Sequence, residues 1–449
     1  MALKCAYIGA GSRTFGPSII RDLFLSEPIC SKGLELVLMD IVADHLGEIG
    51  RYCEFLNARL RRSVTVRLTT DLTEALRGAD FVVCAIEVQR YLYWSQDFHV
   101  PRDTGIRHPF GENGGVGGIF HALRNMGPMV HIAREMERLC PKALMLSFTN
   151  PEHKLCEGVT RLTSIQAIGL CHGVFMGQEQ IAEILGRPES ELDTAACGIN
   201  HFTWFQEIRD KKTGEDLYPL LKERERKTDW FTKWHEMALG RILLRRFGMW
   251  PSPGANHYGE YIRWADEYVV SNLQFHYDPE DGHPWTEDIE PRFVYYADNV
   301  DTSGPWGEPR KKDPGTPMEQ QTLKASGEIA VKIIESLATG VSNHLEAINV
   351  PNRGYIPNLD EGTVVEVPAH ADGGGIKPRM MRPFPEAIAA LLRLQGSIHK
   401  LIVEAFAETS REKLIQAVLL DPSVDSYRHA IVAIERLLEL QKNILPKFT

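Results

Sequence analysis

The sequence predicts an α/β protein, with a Rossmann-like, doubly wound parallel sheet followed by a mixed α+β domain. In the first half of the chain, short apolar runs alternate with stretches of helical periodicity, and glycines close the first apolar run. Strands that alternate with helices build parallel sheets covered on both faces. In the second half this alternation is lost, and tryptophan, proline and glycine accumulate between charged runs.

The candidate elements follow in chain order. Strands are predicted at residues 4–8, 35–39, 64–68, 80–86, 143–148 and 164–168, and helices at 18–25, 43–60, 72–76 and 119–139. Residues 205–330 predict long functional loops among helices. A strand at 363–368 then precedes helices at 385–408 and 428–445. A chain of 449 residues suits two domains, and we place the boundary near residue 195.

Composition excludes several classes of partner. The net charge of −10 argues against nucleic acid or an anionic membrane surface. All eight cysteines lie in the first 200 residues, and several fall inside predicted strands or helices. A disulfide framework would be denser and placed in loops of a shorter chain. No secretory signal is visible, and no apolar run is long enough to span a bilayer. We therefore expect a reducing, cytoplasmic setting.

Gly9-Ala10-Gly11-Ser12 follows the first predicted strand. Gly9 permits a tight turn, and Gly11 lets the backbone approach a pyrophosphate at the N-terminus of the next helix. The third glycine of the usual pattern is missing, because position 14 is threonine. An ordinary strand-to-helix turn therefore fits these residues nearly as well as a dinucleotide site.

Asp40 strengthens the dinucleotide interpretation. It ends the second predicted strand, somewhat farther from Gly11 than the ~20 residues of the common pattern. A carboxylate there accepts hydrogen bonds from ribose hydroxyls and repels a 2′-phosphate, which favours NAD over NADP. A solvated carboxylate at a strand end is the alternative. We accordingly predict an NAD-binding domain at residues 1–195 and a substrate-binding and oligomerisation domain at 196–449.

Cys171-His172 follows the sixth predicted strand, and Asn200-His201 comes soon after it. Ligands bind at the carboxyl edge of open α/β sheets, where Cys171 is expected to lie. A thiolate and an imidazole can hold a divalent metal whose other positions stay open for a substrate. A buried free cysteine and a core histidine are the alternatives for either residue singly.

Three further segments contain polar groups suited to a sugar or a cofactor. Asn150 precedes Pro151, so its amide can face a hydroxyl group, or it can simply form a turn. Residues 111–118 hold five glycines, which predicts a mobile loop over a cofactor or a substrate contact. Tyr258 and Tyr261 place two phenols in a polar loop, where either can act as a base or pack with Trp264.

Taken together, these motifs resemble glycoside hydrolase family 4, the NAD- and metal-dependent glycosidases. The matching segments, in chain order, are residues 9–12, 111–118, 150–151, 171–174, 200–201, 257–261, 352–359 and 364–368. The resemblance covers nearly the whole chain. Its most specific parts are the Cys-His-Gly-Val tetrapeptide that starts at Cys171 and the Asn-His pair that ends at His201.

The resemblance implies hydrolysis without net redox change. NAD⁺ takes hydride from C3 of the sugar, while Mn²⁺ or another divalent metal binds the C2 and C3 oxygens and stabilises an enediolate. A base removes the C2 proton, the glycosidic oxygen leaves C1, water adds, and NADH restores C3. Thiolate and imidazole ligands ordinarily favour zinc, so manganese is expected from the resemblance alone.

The resemblance also implies individual roles. The metal ligands are Cys171 and His201, and His172 occupies the place of an acid that assists the leaving group. Tyr258 or Tyr261 is the C2 base. The remaining sugar contacts or metal supports are Arg90, Glu112, Asn150 and Asn200.

The implied substrate is an α-glycoside of a hexose or of an acidic sugar, such as a hexuronide or a sulfonated sugar. Members that cleave 6-phosphosugars usually carry Asn or Asp after the cysteine and a proline two residues later, whereas this chain has His172 and Val174. An acidic sugar needs a cationic partner, for which Arg263 and Arg124 are candidates. A homodimer or homotetramer is the family expectation. The alternative function is an NAD-dependent dehydrogenase of the lactate/malate type.

Overall fold

The computed structural model describes residues 2–12, 15–227, 237–269 and 323–449. The parallel strands of its sheet are β1 (Leu3–Ile8), β2 (Leu34–Met39), β3 (Thr65–Thr69), β4 (Phe81–Cys84), β5 (Leu144–Ser147) and β6 (Ala167–Gly169). They lie in the order β3-β2-β1-β4-β5-β6. This is the strand order of a Rossmann domain, so the predicted fold class is confirmed.

The same sheet continues through antiparallel strands from the second half of the chain. They are β7 (Leu192–Ile199), β8 (Phe202–Asp210), β9 (Pro251–Ser252), β10 (Asn343–Pro351), β11 (Val364–Asp372) and β12 (Gly375–Pro378). Strand β10 pairs with β6, and β11 pairs with β7. The predicted boundary near residue 195 therefore falls inside a strand of a continuous sheet. The division into two domains stays a prediction.

Helices cover this sheet. In the first half they are α1 (Gly16–Leu25), α2 (Glu27–Ser31), α3 (Ala43–Leu60), α4 (Leu72–Leu76), α5 (Arg90–Asp103), α6 (Gly115–Leu139), α7 (Glu152–Leu162) and α8 (Gly173–Leu185). In the second half, the described helices are α9 (Tyr218–Arg224), α10 (Ala238–Phe247), α11 (Ala255–Tyr258), α12 (Ile329–Thr339), α13 (Glu386–Glu408), α14 (Arg411–Leu420) and α15 (Tyr427–Leu440). The six predicted strands of the first half are confirmed within a few residues, whereas α2, α5, α7 and α8 are missing from the prediction.

Apolar side chains pack on both faces of the sheet. In β2, Leu36 and Leu38 belong to one buried cluster, while Val37 and Met39 belong to another. Successive strand residues point to opposite faces, so the two clusters lie on opposite sides of the sheet. Within the described residues, none of the helices combines the length and the apolar character needed to cross a membrane.

Candidate active site

The turn after β1 packs closely against neighbouring backbone of the same chain. Gly9 has φ +81°, and a Cβ there would lie 2.2 Å from the carbonyl oxygen of Ala85. Helix α1 begins at Gly16, where a Cβ would lie 2.7 Å from the carbonyl oxygen of Ala10. Gly16 therefore allows the close turn-to-helix packing that the third glycine of a dinucleotide motif provides. The sequence prediction looked for that glycine at position 14 and missed it.

Asp40 lies beside this turn at the end of β2. Its carboxylate accepts hydrogen bonds from the amides of Gly11, at 2.9 Å, and Val42, at 3.0 Å. The side chain stays half-buried. Each carboxylate oxygen can accept a further bond, so the geometry suits two ribose hydroxyls. The next residue, Ile41, is 86% exposed and offers an apolar surface beside Asp40.

Three potential metal donors converge elsewhere at the site. One ligand atom from each of Glu112, His201 and His257 lies within 4.8 Å of the others. The two imidazole rings are 4.5 Å apart, and Nδ1 of His257 is 4.0 Å from the Glu112 carboxylate. His257 was not among the predicted site residues. It lies in the same loop as Tyr258 and Tyr261, for whose phenols the loop was singled out.

The charge state of Glu112 suits a cation ligand. Burial opposes its ionisation, but Arg90, His201 and His257 favour it, and together they lower the pKa of Glu112 to about 2. Arg90 donates to Glu112 at 2.6 Å and to Glu87 at 3.4 Å. Burial lowers the pKa of His201 to about 3, so this imidazole is neutral and can act as a ligand.

Glu260 holds the backbone that precedes α6. Its carboxylate accepts the amides of Glu112, Asn113 and Gly114 at 2.9, 3.1 and 3.0 Å. Burial raises the pKa of Glu260 to about 8, against these bonds. Residues 111–118 are all buried, and Gly115 starts α6. The prediction of a mobile loop there is therefore wrong, because the glycines allow close packing of this backbone.

Asn113 connects this backbone to His201. Its side-chain amide contacts Nδ1 of His201, and its carbonyl oxygen accepts a bond from Nζ of the buried Lys154. When the amide oxygen faces the ring it accepts the Nδ1 proton, and the lone pair of Nε2 is then free for a metal. Asn113 lies in the glycine-rich segment 111–118 but was not predicted as a site residue, and Lys154 lies in no motif that the sequence offered.

Cys171 follows β6, and its sulfur accepts the amide of Gly173 at 3.4 Å. Burial, with a smaller contribution from Glu366, raises the pKa of its thiol to about 12. The three-donor group of Glu112, His201 and His257 does not include Cys171. A thiol of high pKa becomes a ligand only when a cation stabilises the thiolate. Its role as a ligand stays a prediction.

His172 caps the N-terminus of α8 and lies toward the dinucleotide turn. Its ring centroid is 6.0 Å from that of Phe15 and 6.3 Å from that of Phe148. Its Nε2 is 3.0 Å from the carboxylate of Glu328, and this bond raises the pKa of His172. The imidazole therefore lies near Phe15, which directly precedes α1, and follows Cys171 in sequence.

The predicted amide residues surround the donors. The side-chain nitrogen of Asn150 donates to the Glu112 carboxylate at 3.5 Å, and the backbone carbonyl oxygen of Asn150 accepts a bond from the side chain of Asn125 at 2.9 Å. Asn200 is buried and donates to Glu366 at 3.3 Å. Asn150 and Arg90 thus both contact Glu112, whereas Asn200 directly precedes His201 and contacts Glu366.

The two candidate tyrosines face different surroundings. A Cβ on Gly240 in α10 would lie 2.8 Å from Oη of Tyr258, so this hydroxyl points into the packing of that helix. Oη of Tyr261 is buried and has no hydrogen-bond partner among the described residues. Nζ of Lys154 is 5.9 Å from the ring centroid of Tyr261. Burial raises the pKa of Tyr261 well above its ordinary value.

Comparison with known proteins decides the family. Residues 4–187 match the profile of family 4 glycosyl hydrolases, and residues 196–424 match that of their C-terminal domain. α-Galactosidase of Bacillus subtilis (strain 168) is 32% identical, over 93% of each chain. The chain belongs to the family 4 glycosyl hydrolases.

Further likenesses agree with this family 4 assignment. α-Glucosidase of Erwinia rhapontici is 30% identical, over 96% of each chain. A 6-phospho-α-glucosidase from gut microorganisms, solved in complex with NAD and Mn²⁺, superposes with a TM-score of 0.77 and covers 100% of both chains. It is 21% identical, so that likeness shows the fold.

Two arginines were predicted as partners for the charged group of an acidic sugar, and one of them is buried in the core of this family 4 enzyme. Arg124 has no exposed side-chain area and donates to Asp97 at 2.9 Å and to Gln441 at 3.1 Å. The structure therefore does not favour Arg124 as a substrate contact, and that role stays a prediction. Arg263 is exposed and lines an apolar cavity with Tyr261 and Trp264.

Proposed function

We propose that this family 4 enzyme is an NAD⁺- and divalent-metal-dependent α-glycosidase that cleaves α-hexosides. The observation that carries the proposal is the position of His172. Its ring centroid lies 6.0 Å from Phe15, beside the glycine turn, and it directly follows Cys171 in sequence. A dinucleotide on the turn and a sugar held beside the cysteine would therefore be neighbours.

The residues present fit NAD⁺. The lack of side chains at Gly9 and Gly16 lets the turn pack against Ala85 and lets α1 start close to Ala10, so a pyrophosphate could lie at the N-terminus of α1. Asp40 offers a half-buried carboxylate for the ribose, and it would repel the 2′-phosphate of NADP. Bound NAD⁺ would supply reversible hydride acceptance, and the metal would polarise sugar oxygens.

The residues present also fit a divalent metal. Nδ1 of His257 is buried and has no hydrogen-bond partner among the described residues, although a carboxylate faces it at 4.0 Å. A cation between them would satisfy both groups. We propose His201 as a ligand together with Cys171, and His257 and Glu112 as further donors. Manganese is proposed because relatives of this fold bind it.

The chain's own residues suggest how a sugar is held and deprotonated. We propose Tyr261 as the C2 base, because its hydroxyl is buried and unpartnered whereas that of Tyr258 points toward α10. Burial raises the pKa of Tyr261, so its action as a base would depend on a bound metal ion near the hydroxyl, which would lower that pKa. Asn150 and Arg90 border the Glu112 carboxylate and would orient the sugar hydroxyls.

A neutral hexose is the favoured substrate. The relatives of highest identity named above act on glucosides and galactosides, according to their names. Arg90 and Arg124, the arginines of this region, are already balanced by carboxylates. An acidic sugar would need a cation from elsewhere, such as Arg263. It is therefore the second choice.

We further propose a reducing, cytoplasmic setting and a homo-oligomer. The eight cysteines are all free, and Cys171 is needed as a thiol. Exposed apolar side chains occur on the C-terminal helices, at Leu419 and Leu420 of α14 and Val432 of α15, and would suit a subunit interface. Light scattering on the purified protein would measure the assembly directly.

The test of the proposed function is a panel of nitrophenyl glycosides that contains α-glucoside, α-galactoside and an α-uronide. Hydrolysis is measured with NAD⁺, Mn²⁺ and a thiol reductant, and then with each of them omitted. We expect hydrolysis of a neutral α-hexoside that needs both cofactors and accumulates no NADH. Stoichiometric NADH formation without hydrolysis would instead establish the dehydrogenase alternative.

A further inference from the structure

Glu328 lies outside every motif that the sequence offered, yet it contacts His172. It immediately precedes α12 and is 3% exposed. One carboxylate oxygen is 3.0 Å from Nε2 of His172, and the other accepts the hydroxyl of Ser18 at 2.8 Å. Ser18 belongs to α1, the helix that follows the dinucleotide turn. The carboxylate thus bridges that helix to the imidazole.

The backbone around Glu328 is itself fixed to α1. The buried carboxylate of Asp22 accepts the amides of Ser326, Gly327 and Glu328 at 2.8, 2.8 and 3.1 Å. It also accepts the hydroxyl of Ser326 at 2.9 Å. These bonds fix the backbone from which the Glu328 side chain extends toward His172.

The imidazole is constrained on its other sides by aromatic rings. The centroids of Phe15, Phe148 and Phe175 lie 6.0, 6.3 and 6.3 Å from that of His172. The side chain is nevertheless 47% exposed. One nitrogen of a half-exposed histidine, which follows Cys171 in sequence, is therefore held by a carboxylate.

We propose that Glu328 is a positioning residue, which fixes the orientation and tautomer of His172 for contact with the glycoside. With Nε2–H donated to the carboxylate, the neutral ring presents the lone pair of Nδ1. Nδ1 has no other partner among the described residues, so a sugar hydroxyl can donate to it. The proposal rests on the proposed function, since it assigns the contact to that same substrate site.

The first arm of the test is a double-mutant cycle on kcat with the α-hexoside that wild type hydrolyses. Glu328→Ala should lower kcat about tenfold or more, in the range seen when a partner that orients a site histidine is lost. KM and the Kd of NAD⁺ should change little. Glu328→Gln should recover much of kcat, because its amide oxygen can still accept the Nε2 proton. In the His172→Ala background, Glu328→Ala should have almost no further effect.

Glu335 provides a matched control, because it too connects α12 to a serine in the region of the first two helices. Glu335 in α12 accepts the hydroxyl of Ser26 at 2.7 Å, as Glu328 accepts that of Ser18, but it does not contact the site. Glu335→Ala should therefore leave kcat unchanged. An equal loss of kcat in Glu335→Ala and Glu328→Ala, or additive effects of Glu328→Ala and His172→Ala, would overturn the proposal.

The second arm does not need activity. In protein labelled with ¹⁵N-histidine, at a pH high enough for the ring to be neutral, we expect the His172 resonances of wild type and Glu328→Gln to show a single Nε2–H tautomer. Those of Glu328→Ala should show a mixture, with His172→Ala identifying the signals. An unchanged tautomer in Glu328→Ala would refute the positioning role. If wild type hydrolysed no glycoside, the proposed function would fail, and this arm would still decide the role of Glu328.

Discussion

The dinucleotide turn and the metal-donor group use opposite means to prepare a binding site. The turn is built from backbone, and its key feature is the lack of side chains at Gly9 and Gly16. The donor group is built from buried ionisable side chains, Glu112, His201 and His257. A backbone site fails by steric overlap, whereas a side-chain site fails by loss of ligands or of the partners that orient them. Substitutions at the two sites should therefore separate binding of NAD⁺ from binding of the metal.

Loss of a ligand should give the largest effect. His201→Ala should abolish metal-dependent hydrolysis and metal binding, because it removes a donor that no neighbouring group replaces. The Kd of NAD⁺, measured calorimetrically, should stay close to that of wild type. Cys171→Ser should also abolish the activity. Retention of a tightly bound metal in both variants, measured by elemental analysis, would show that neither residue is a ligand.

A side chain at the turn should act on the other cofactor. Gly9→Ala places a Cβ 2.2 Å from the carbonyl oxygen of Ala85, so the turn must shift and NAD⁺ binding should be lost. Gly78→Ala is the matched control. Gly78 has φ +69°, and a Cβ there has nothing within 4 Å. Its cost should be about 1 kcal/mol of stability, with NAD⁺ affinity retained. Similar NAD⁺ affinities in the two variants would refute the backbone account.

Removal of an orienting partner should give a smaller effect. Asn113→Ala takes away the amide that faces Nδ1 of His201, and it should weaken metal affinity by ~10- to 100-fold without abolishing binding. The metal Kd can be followed by the electron paramagnetic resonance of Mn²⁺. A wild-type Kd would mean that the Asn113 contact does not orient this ligand.

The smallest effect concerns stability and pH. The pKa of Glu260 rises from the ordinary 4.5 to about 8, because of burial. Below the lower value both the folded and unfolded chains hold this proton. As the pH rises toward 8 only the unfolded chain loses it, so the free energy of unfolding falls. In Glu260→Gln this fall should be shallower between about pH 5 and about pH 8, as urea unfolding of metal-free protein can show. Parallel slopes in the two proteins would contradict the assignment.

Local sequence patterns explain which parts of the fold were predictable. Apolar runs such as residues 35–39, bounded by polar residues, predicted the parallel strands closely. Helix α5 escaped because it is buried on most sides and has no apolar stripe to detect. Helices α7 and α8 were also not predicted. They follow Asn150-Pro151 and Cys171-His172, and these motifs were interpreted as functional residues rather than as the starts of helices.

The site shows the same limit more strongly. Gly9, Asp40 and the Cys-His pair could be found because each belongs to a short motif at the end of a strand. The roles of Glu260, which lies within the recognised segment 257–261, and of Glu328 could not be found, because both depend on contacts with residues far away in sequence. A carboxylate that binds three backbone amides or one distant imidazole has no local signature. The glycines of residues 111–118 led to the wrong prediction of a mobile loop for a related reason. A glycine-rich sequence is typical both of a mobile loop and of closely packed backbone, so composition alone does not distinguish the two.

The central claim is that hydrolysis proceeds through removal of the C2 proton. The most direct measurement is hydrolysis of the preferred α-hexoside in D₂O, with NAD⁺ and Mn²⁺ present, followed by NMR of the released sugar. The account predicts deuterium at C2 of the released sugar. It predicts none in a control in which the same free sugar is incubated in D₂O without enzymatic hydrolysis. A product that keeps its full C2 proton signal, at complete hydrolysis, would contradict the account.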